Sequence, residues 1–382
     1  MYGNTNINCM KILKFIKKII LVCLLILLII ISLIIFAFVK RIWSYYMSPW
    51  EVFEIVETKY TKNYKFNGLS FVDNENGILW GEYRDDDLLF TEDVTRYINE
   101  ASGFIFESNN RGKNWRQIYK SKNEVVSISY VTNKLFFALV RVKTYDNFQE
   151  YFQILKFEND FDSFINLYTT KKLIKKIFFL NSDVGFIVGY KDKNENSTII
   201  MMTKNGGKSW QTLQLNYEPD IYKQFIKYDD SKLYYFSDNK WVLLDINFIE
   251  ENIIELPKGE IKIRHICLDD KKRLWFLSKT ESKWITLFKE NDNNVFERIR
   301  LPFENEELYP SFVHVYDNRI FIFLDDLKGF FPLWVIYTSS DAGLTWSEES
   351  IPLKISSELI AFYNEYIWVY SPGGRLQHRS IE

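Results

Sequence analysis

Three octets of one pattern divide this chain at regular distances. Ser339-Ser340-Asp341-Ala342-Gly343-Leu344-Thr345-Trp346 reads S-x-D-x-G-x-T-W. Ser108-Asn109-Asn110-Arg111-Gly112-Lys113-Asn114-Trp115 and Thr203-Lys204-Asn205-Gly206-Gly207-Lys208-Ser209-Trp210 are looser copies. Each has the makings of a β-hairpin turn. The hydroxyls of Ser108, Thr203 and Ser339 and the side chains of Asn110, Asn205 and Asp341 can hydrogen-bond nearby backbone amides. Gly112, Gly207 and Gly343 suit a positive-φ position. Trp115, Trp210 and Trp346 open the next strand and offer a large apolar body to bury. The octets are expected to be structural turns, with no catalytic residue among them.

Seven hairpin signals lie around these octets. Residues 69–73 turn into 77–81, 125–131 into 135–142, 177–180 into 185–189, and 225–228 into 233–236. Residues 263–268 turn into 274–277, 312–316 into 320–324, and 359–363 into 366–370. The turns are centred near 75, 133, 182, 230, 270, 318 and 364, so the steps run from 40 to 58 residues. A step of about 40–50 residues carrying four short strands is the period of a β-propeller blade. Trp115 and Trp210 lie 95 residues apart, close to two periods; Trp210 and Trp346 lie 136 apart, close to three. The expected fold is all-β, a seven-bladed β-propeller with octets in blades 1, 3 and 6; six or eight blades remain open. Residues 158–162, 245–247 and 291–294 should make the same turn without the motif. The last blade is a strand short, and residues 52–57 are expected to complete it as the outer strand, which removes an exposed edge.

The first 41 residues hold six basic residues, Lys11, Lys14, Lys17, Lys18, Lys40 and Arg41, and no acidic one. Between them lies 19–39, broken only by Ser32 and Cys23. At 1.5 Å per residue this run spans about 30 Å, the thickness of a bilayer core. The run exceeds the apolar region of a cleaved signal and lacks a small-x-small site. The expected order is a cytoplasmic basic tail (1–18), a transmembrane helix (19–39), a linker (40–50) and the propeller (51–382). Four lysines before the span against two basic residues after it place the larger part outside the cytoplasm. Beyond residue 41 the 48 Lys and Arg fall to 42 while all 50 Asp and Glu remain, a net charge of −8. That argues against a nucleic-acid partner.

Residues 71–81 read F-x-D-x-x-x-G-x-x-x-G, and 179–189 repeat the pattern with Asn181 at the Asp position, followed by the double-glycine octet at 203–210. With these motifs the chain resembles the Asp-box (BNR) repeat propellers of the sialidase superfamily fold, and within them the group similar to the photosystem II assembly or stability factor. The resemblance implies the fold. Its members include sialidases, sorting receptors, assembly factors and glycan-binding modules, so it implies no single chemistry.

Sialidase chemistry needs three arginines, a Tyr–Glu pair and an Asp acid, with an Arg-Ile-Pro-like segment before the first octet. Between residue 41 and Ser108 only Arg84 and Arg96 are present, neither in that setting, and 298–302 come too late. His265, His314 and His378 lie far apart in sequence. His265 and Cys267 would share one strand face, which is half a metal site at most. No metal and no cofactor is expected. Cys267 stands alone beyond the N-terminal segment, so no disulfide forms there, and it suits a small buried hydrophobe. The insertion at 84–102 carries Asp85, Asp86 and Asp87 and is the candidate binding loop. Glu304-Asn305-Glu306-Glu307 and the lysines of 171–176 read as solvated connections. The expected function is a membrane-anchored module that binds a protein partner without catalysis, in assembly or stability of an envelope complex. An immunity protein that neutralises a toxin outside the cytoplasmic membrane is a second reading. A sialidase-like glycoside hydrolase is the third.

Overall fold

Apolar runs separated by two- or three-residue polar turns pair with their chain neighbours, and that local pairing builds the whole fold. The computed structural model describes residues 21–22, 24–33, 35–36, 39, 51–54, 64–83, 102–144, 149–191, 197–217, 219–220, 225–237, 240–247, 249–257, 261–280, 285–302, 308–326, 333–351, 359–371 and 375–380. From residue 51 on they form seven four-stranded antiparallel sheets. Six are plain meanders, and these are blades 1 to 6. The seventh takes three strands from the C-terminal end and one from Glu51–Glu54, which pairs with Arg375–Ser380 in the register Glu51↔His378 to Glu54↔Arg375. The outer-strand closure expected from 52–57 is therefore present over its described residues.

The core lies between blades. One apolar cluster joins blades 1 and 2, and others join 2 with 3, 3 with 4, 4 with 5, and 5 with 6. A sixth joins blade 7 to both its neighbours, 6 and 1. Middle strands are thus covered on both faces and read as continuous apolar runs, as in Leu135–Thr144, whose first six residues are all buried. Flat ring pairs mark these seams: Phe137 on Phe179 at 3.5 Å between blades 2 and 3, and Phe71 on Trp368 at 3.8 Å between blades 1 and 7.

The inner strands have a second device. The inner edge of each first strand has no ladder partner, and its amides must be satisfied otherwise. Ser129 Oγ accepts the Phe179 N–H at 2.7 Å, and Ser127 Oγ accepts the Ile177 N–H at 3.5 Å. His265 Nδ1 accepts the Val313 N–H at 3.3 Å, and Cys267 takes the Val315 N–H. In each case two side chains, two residues apart, hold two amides of the next blade. His265 and Cys267 share a strand face as expected, and that face is used for blade-to-blade bonding.

The chain divides into two compact units, Met1–Pro49 and Trp50–Glu382. In the first unit, residues 21–22, 24–33, 35–36 and 39 are helical and exposed. Among the described residues no helix is long and apolar enough to cross a membrane. The remaining positions of the expected span at 19–39 lie outside the described residues, as do 55–57, Glu304 to Glu307, and the insertion from 84 to 101 with Asp85, Asp86 and Asp87.

Candidate functional site

The octets share one hydrogen-bonded geometry. Each starts on the last residue of a third strand: Ser108 of Ser102–Ser108, Thr203 of Thr198–Thr203, and Ser339 of Leu333–Ser339. The hydroxyl at that position accepts the glycine N–H four residues on, at 2.9 Å for Gly112, 2.9 Å for Gly207 and 2.8 Å for Gly343. It donates to Asn110, Asn205 or Asp341 Oδ1. That oxygen accepts a second amide, from Asn114, Ser209 or Thr345, at 2.8–3.0 Å. The Trp indole N–H of each octet turns back to its glycine carbonyl, at 2.9, 3.0 and 3.1 Å for Trp115, Trp210 and Trp346. In the octet of blade 6 Thr345 Oγ1 also donates to Asp341 Oδ2 at 2.6 Å. The Thr345 hydroxyl and amide hold the Asp341 carboxyl down to about 2. Turning back onto its own loop leaves each Trp ring half-buried.

The fourth and fifth positions are both left-handed. Arg111, Gly206 and Ala342 have φ of 65°, 66° and 58°, and Gly112, Gly207 and Gly343 have 84°, 87° and 91°. The fourth amide reaches the hairpin turn of the same blade: Arg111 to Glu75 O, Gly206 to Asp183 O, and Ala342 to Asn318 O, all at 2.9 Å. The glycine presses on the preceding blade. A Cβ at Gly343 would come within 2.7 Å of Ile299, and one at Gly112 within 2.3 Å of Leu376. Gly343→Ala should therefore cost about 2–3 kcal/mol, from left-handed strain of roughly 1–2 kcal/mol plus the displaced neighbour. Ala342→Gly should be nearly neutral: relief of about 1 kcal/mol is offset by the entropy a glycine adds to the unfolded chain. Urea midpoints of the two variants test that order, and equal costs would contradict it.

Folding brings two of the three histidines together. His265 stacks on Phe312 at 3.6 Å, Phe312 on Phe362 at 4.9 Å, and Phe362 on His314 at 4.1 Å. Burial holds the His265 imidazole down to about 3, with His314 nearby adding to the effect, and burial holds His314 down to about 4. His378 is also lowered by burial. A histidine whose folded pKa lies below its unfolded value contributes stability that is complete above about pH 6.5 and is lost as pH falls toward the folded value. His265 is 5 % exposed and His314 only half-buried, so His265 should dominate. Its share is about 1.4 kcal/mol for each pH unit below 6.5. Glu290, raised by burial, acts in the opposite direction. His265→Asn keeps an acceptor for Val313 and removes the titration. Its unfolding midpoint should change less between pH 7 and pH 5 than that of the parent; parallel curves would refute the assignment.

Cys267 is pushed up by burial and stays a thiol. Among the described residues no group of three metal-ligating side chains converges. A cleft of about 360 Å³ opens beside the octet of blade 6. Its lining includes Arg319, Phe321, Thr338, Trp346 and Ser347 of blade 6 and Arg379 of blade 7. Sequence reasoning found the octet in this wall but missed both arginines, which are 60 residues apart.

No family model matches this chain, and no curated protein sequence does. Solved structures are similar in fold. The β-propeller domain of the Trilobed protease from Pyrococcus furiosus, described as having an open velcro topology, aligns over 84% of this chain and 96% of that one, with a TM-score of 0.51 and 12% identity. A chain of a mitotic checkpoint complex aligns over 87% and 95%, with a TM-score of 0.52 and 10% identity. An acylaminoacyl peptidase aligns over 86% of this chain but 54% of its own, with a TM-score of 0.52 and 12% identity. At these identities the likeness shows a β-propeller and nothing further.

Proposed function

We propose that this chain is an Asp-box propeller, held at the outer side of a cytoplasmic membrane by residues 19–39, that binds a protein partner and performs no catalysis. The observation that carries this reading is the hydrogen-bond accounting of the octets. The hydroxyl, amide and carboxylate groups of their first and third positions are committed to the turn itself. Groups so committed hold a scaffold and are not poised for proton transfer or nucleophilic attack. The blade-to-blade bonds of Ser127, Ser129, His265 and Cys267 employ the inner strands in the same way. A rigid ring of this kind leaves recognition to its connecting loops.

The test is recovery of a partner from a membrane fraction by the tagged full chain, compared with a variant lacking residues 84–102. A discrete partner, lost with the deletion, is the expected result. Unchanged recovery would remove the insertion from the proposal, and hydrolysis of a fluorogenic sialoside by the purified protein would overturn the non-catalytic reading.

A further inference from the structure

The two ends of the blades present different things. In each octet-bearing blade the octet and the first hairpin turn share one end, since Gly77, Gly185 and Ile320 pair with Ser108, Thr203 and Ser339. Turns of neighbouring blades meet there, as where the Asn181 side chain donates to the Asp230 carbonyl at 2.7 Å. On this octet face the third-to-fourth turns of three consecutive blades each hold out an aliphatic side chain. Ile249 of blade 4 is 55 % exposed, Val295 of blade 5 is 57 %, and Leu344 of blade 6 is 85 %. The first two are built alike: Asp245 Oδ1 accepts the Ile249 N–H and Asn291 Oδ1 accepts the Val295 N–H, each four residues on and at 3.1 Å. The Leu344 N–H donates to the Asp341 carbonyl at 3.4 Å within the octet. With these amides bonded inside the turn, what each tip offers outward is apolar. One exposed aliphatic residue needs no explanation; a row of three on consecutive blades does.

The same face receives the chain. In blade 7 Tyr366 pairs with Ser380 beside the hairpin turn, Glu51 pairs with His378 near that end, and Glu54 pairs with Arg375 at the other. The chain therefore enters the propeller on the octet face. Only 11 residues, 40–50, separate that entry from the apolar run 19–39. A flexible linker of this length spans roughly 20 Å. A strand such as Leu135–Thr144 stands about 33 Å tall. The linker would have to be drawn nearly straight to bring the opposite face round. It also carries Trp43, Tyr45, Tyr46 and Trp50, residue types concentrated where membrane meets water.

We infer that the octet face rests on the bilayer, with Ile249, Val295 and Leu344 entering its interfacial layer. The inference rests on the reading of 19–39 as an anchor. A short tether holds the face near lipid at an effective concentration on the order of millimolar, so three shallow side chains suffice without a large interface. The turns around them carry both signs, Lys208, Lys271 and Lys272 among Asp230, Asp270 and Asp292. Contact then depends on apolar burial and needs no anionic lipid. The opposite face, where the connection 84–101 leaves Tyr83 and returns at Ser102, stays open to a partner.

The test reconstitutes the full chain, with Cys9 and Cys23 replaced by alanine, in phosphatidylcholine vesicles containing a nitroxide-labelled lipid that quenches at shallow depth. An environment-sensitive fluorophore is attached at Leu344→Cys or at Lys191→Cys; Lys191 is exposed at the opposite end of blade 3. The label at 344 should lose most of its fluorescence and the label at 191 should keep it. Ile249→Asp combined with Val295→Asp should restore the signal at 344, and because both side chains are exposed the melting temperature should hold. Washing the same vesicles in alkaline carbonate reads the anchor separately. Release of the chain would refute the anchor reading and this inference with it. A retained chain quenched no more at 344 than at 191, or equally quenched after the two Asp substitutions, would overturn this inference alone. A label at 344 that is blue-shifted yet unquenched would also overturn it, and would assign the row to a protein surface.

Discussion

Replacing Trp368 by alanine should lower stability by about 3–5 kcal/mol, whereas Trp346→Ala should cost about 2 kcal/mol. The two residues separate motif from burial. Trp368 belongs to no octet, yet it is fully buried in the cluster that joins blade 7 to blades 6 and 1. Its ring lies flat on Phe71 at 3.8 Å, and its indole N–H donates to the Arg111 carbonyl of the first octet at 3.0 Å. Alanine would leave a cavity and an unpaired carbonyl together, and the second term alone is worth about 1–3 kcal/mol. Trp346 is half-buried, and its indole bond is local, to Gly343. Removing it exposes part of one seam and opens a turn still held by its side-chain and backbone bonds. Urea unfolding of both variants decides the matter. Trp368→Phe, which keeps a ring and loses the donor, should fall between parent and Trp368→Ala. A larger cost for Trp346→Ala than for Trp368→Ala would mean that the octet, and not the seam, dominates.

The contrast shows what the sequence could disclose. Turn chemistry is local, so the octets and the Asp- and Asn-bearing hairpins could be read directly, and their spacing gave the blade count. The missing strand of the last blade was legible for the same reason: an unassigned run stood at one end of the chain and a three-stranded blade at the other. Packing across seams was not legible. Trp241, Trp275 and Trp368, all at most 2 % exposed, sit in middle strands with no motif around them. Inner-strand bulges recur at Asn67, Val126, Lys175, Arg264 and Ser311. Five unrelated side chains occupy these positions because a bulge constrains backbone and not residue type. Ser129 and His265 do the same work in different seams, since either can accept an amide, and no pattern search would equate them. The Arg319–Arg379 cleft depends on which faces of blades 6 and 7 meet, which requires the register of both.

A chain beginning at residue 55 should fold but melt roughly 8 °C below one beginning at Trp50. Among the described residues, Glu51–Glu54 is the strand that joins the N-terminal end of the propeller to its C-terminal blade. Its loss removes a ladder of four paired residues and exposes the edge of Arg375–Ser380, where Gln377 and His378 are 4 % and 5 % exposed. At about 1 kcal/mol net for each hydrogen bond, the ladder is worth roughly 4 kcal/mol, and about 2 °C per kcal/mol suits a domain of this size. A second closure remains. The cluster shared by blades 6, 7 and 1, with Phe71 on Trp368 at its centre, spans the same junction and survives the truncation. Apolar burial on that scale outweighs a four-residue ladder, so the ring should hold with a lower midpoint instead of falling apart. The bare edge should also make the shortened protein self-associate. A peptide of residues 50–57 added in trans should restore part of the lost midpoint. Equal melting of the two chains would show that the seam alone closes the ring and that the strand only tethers it.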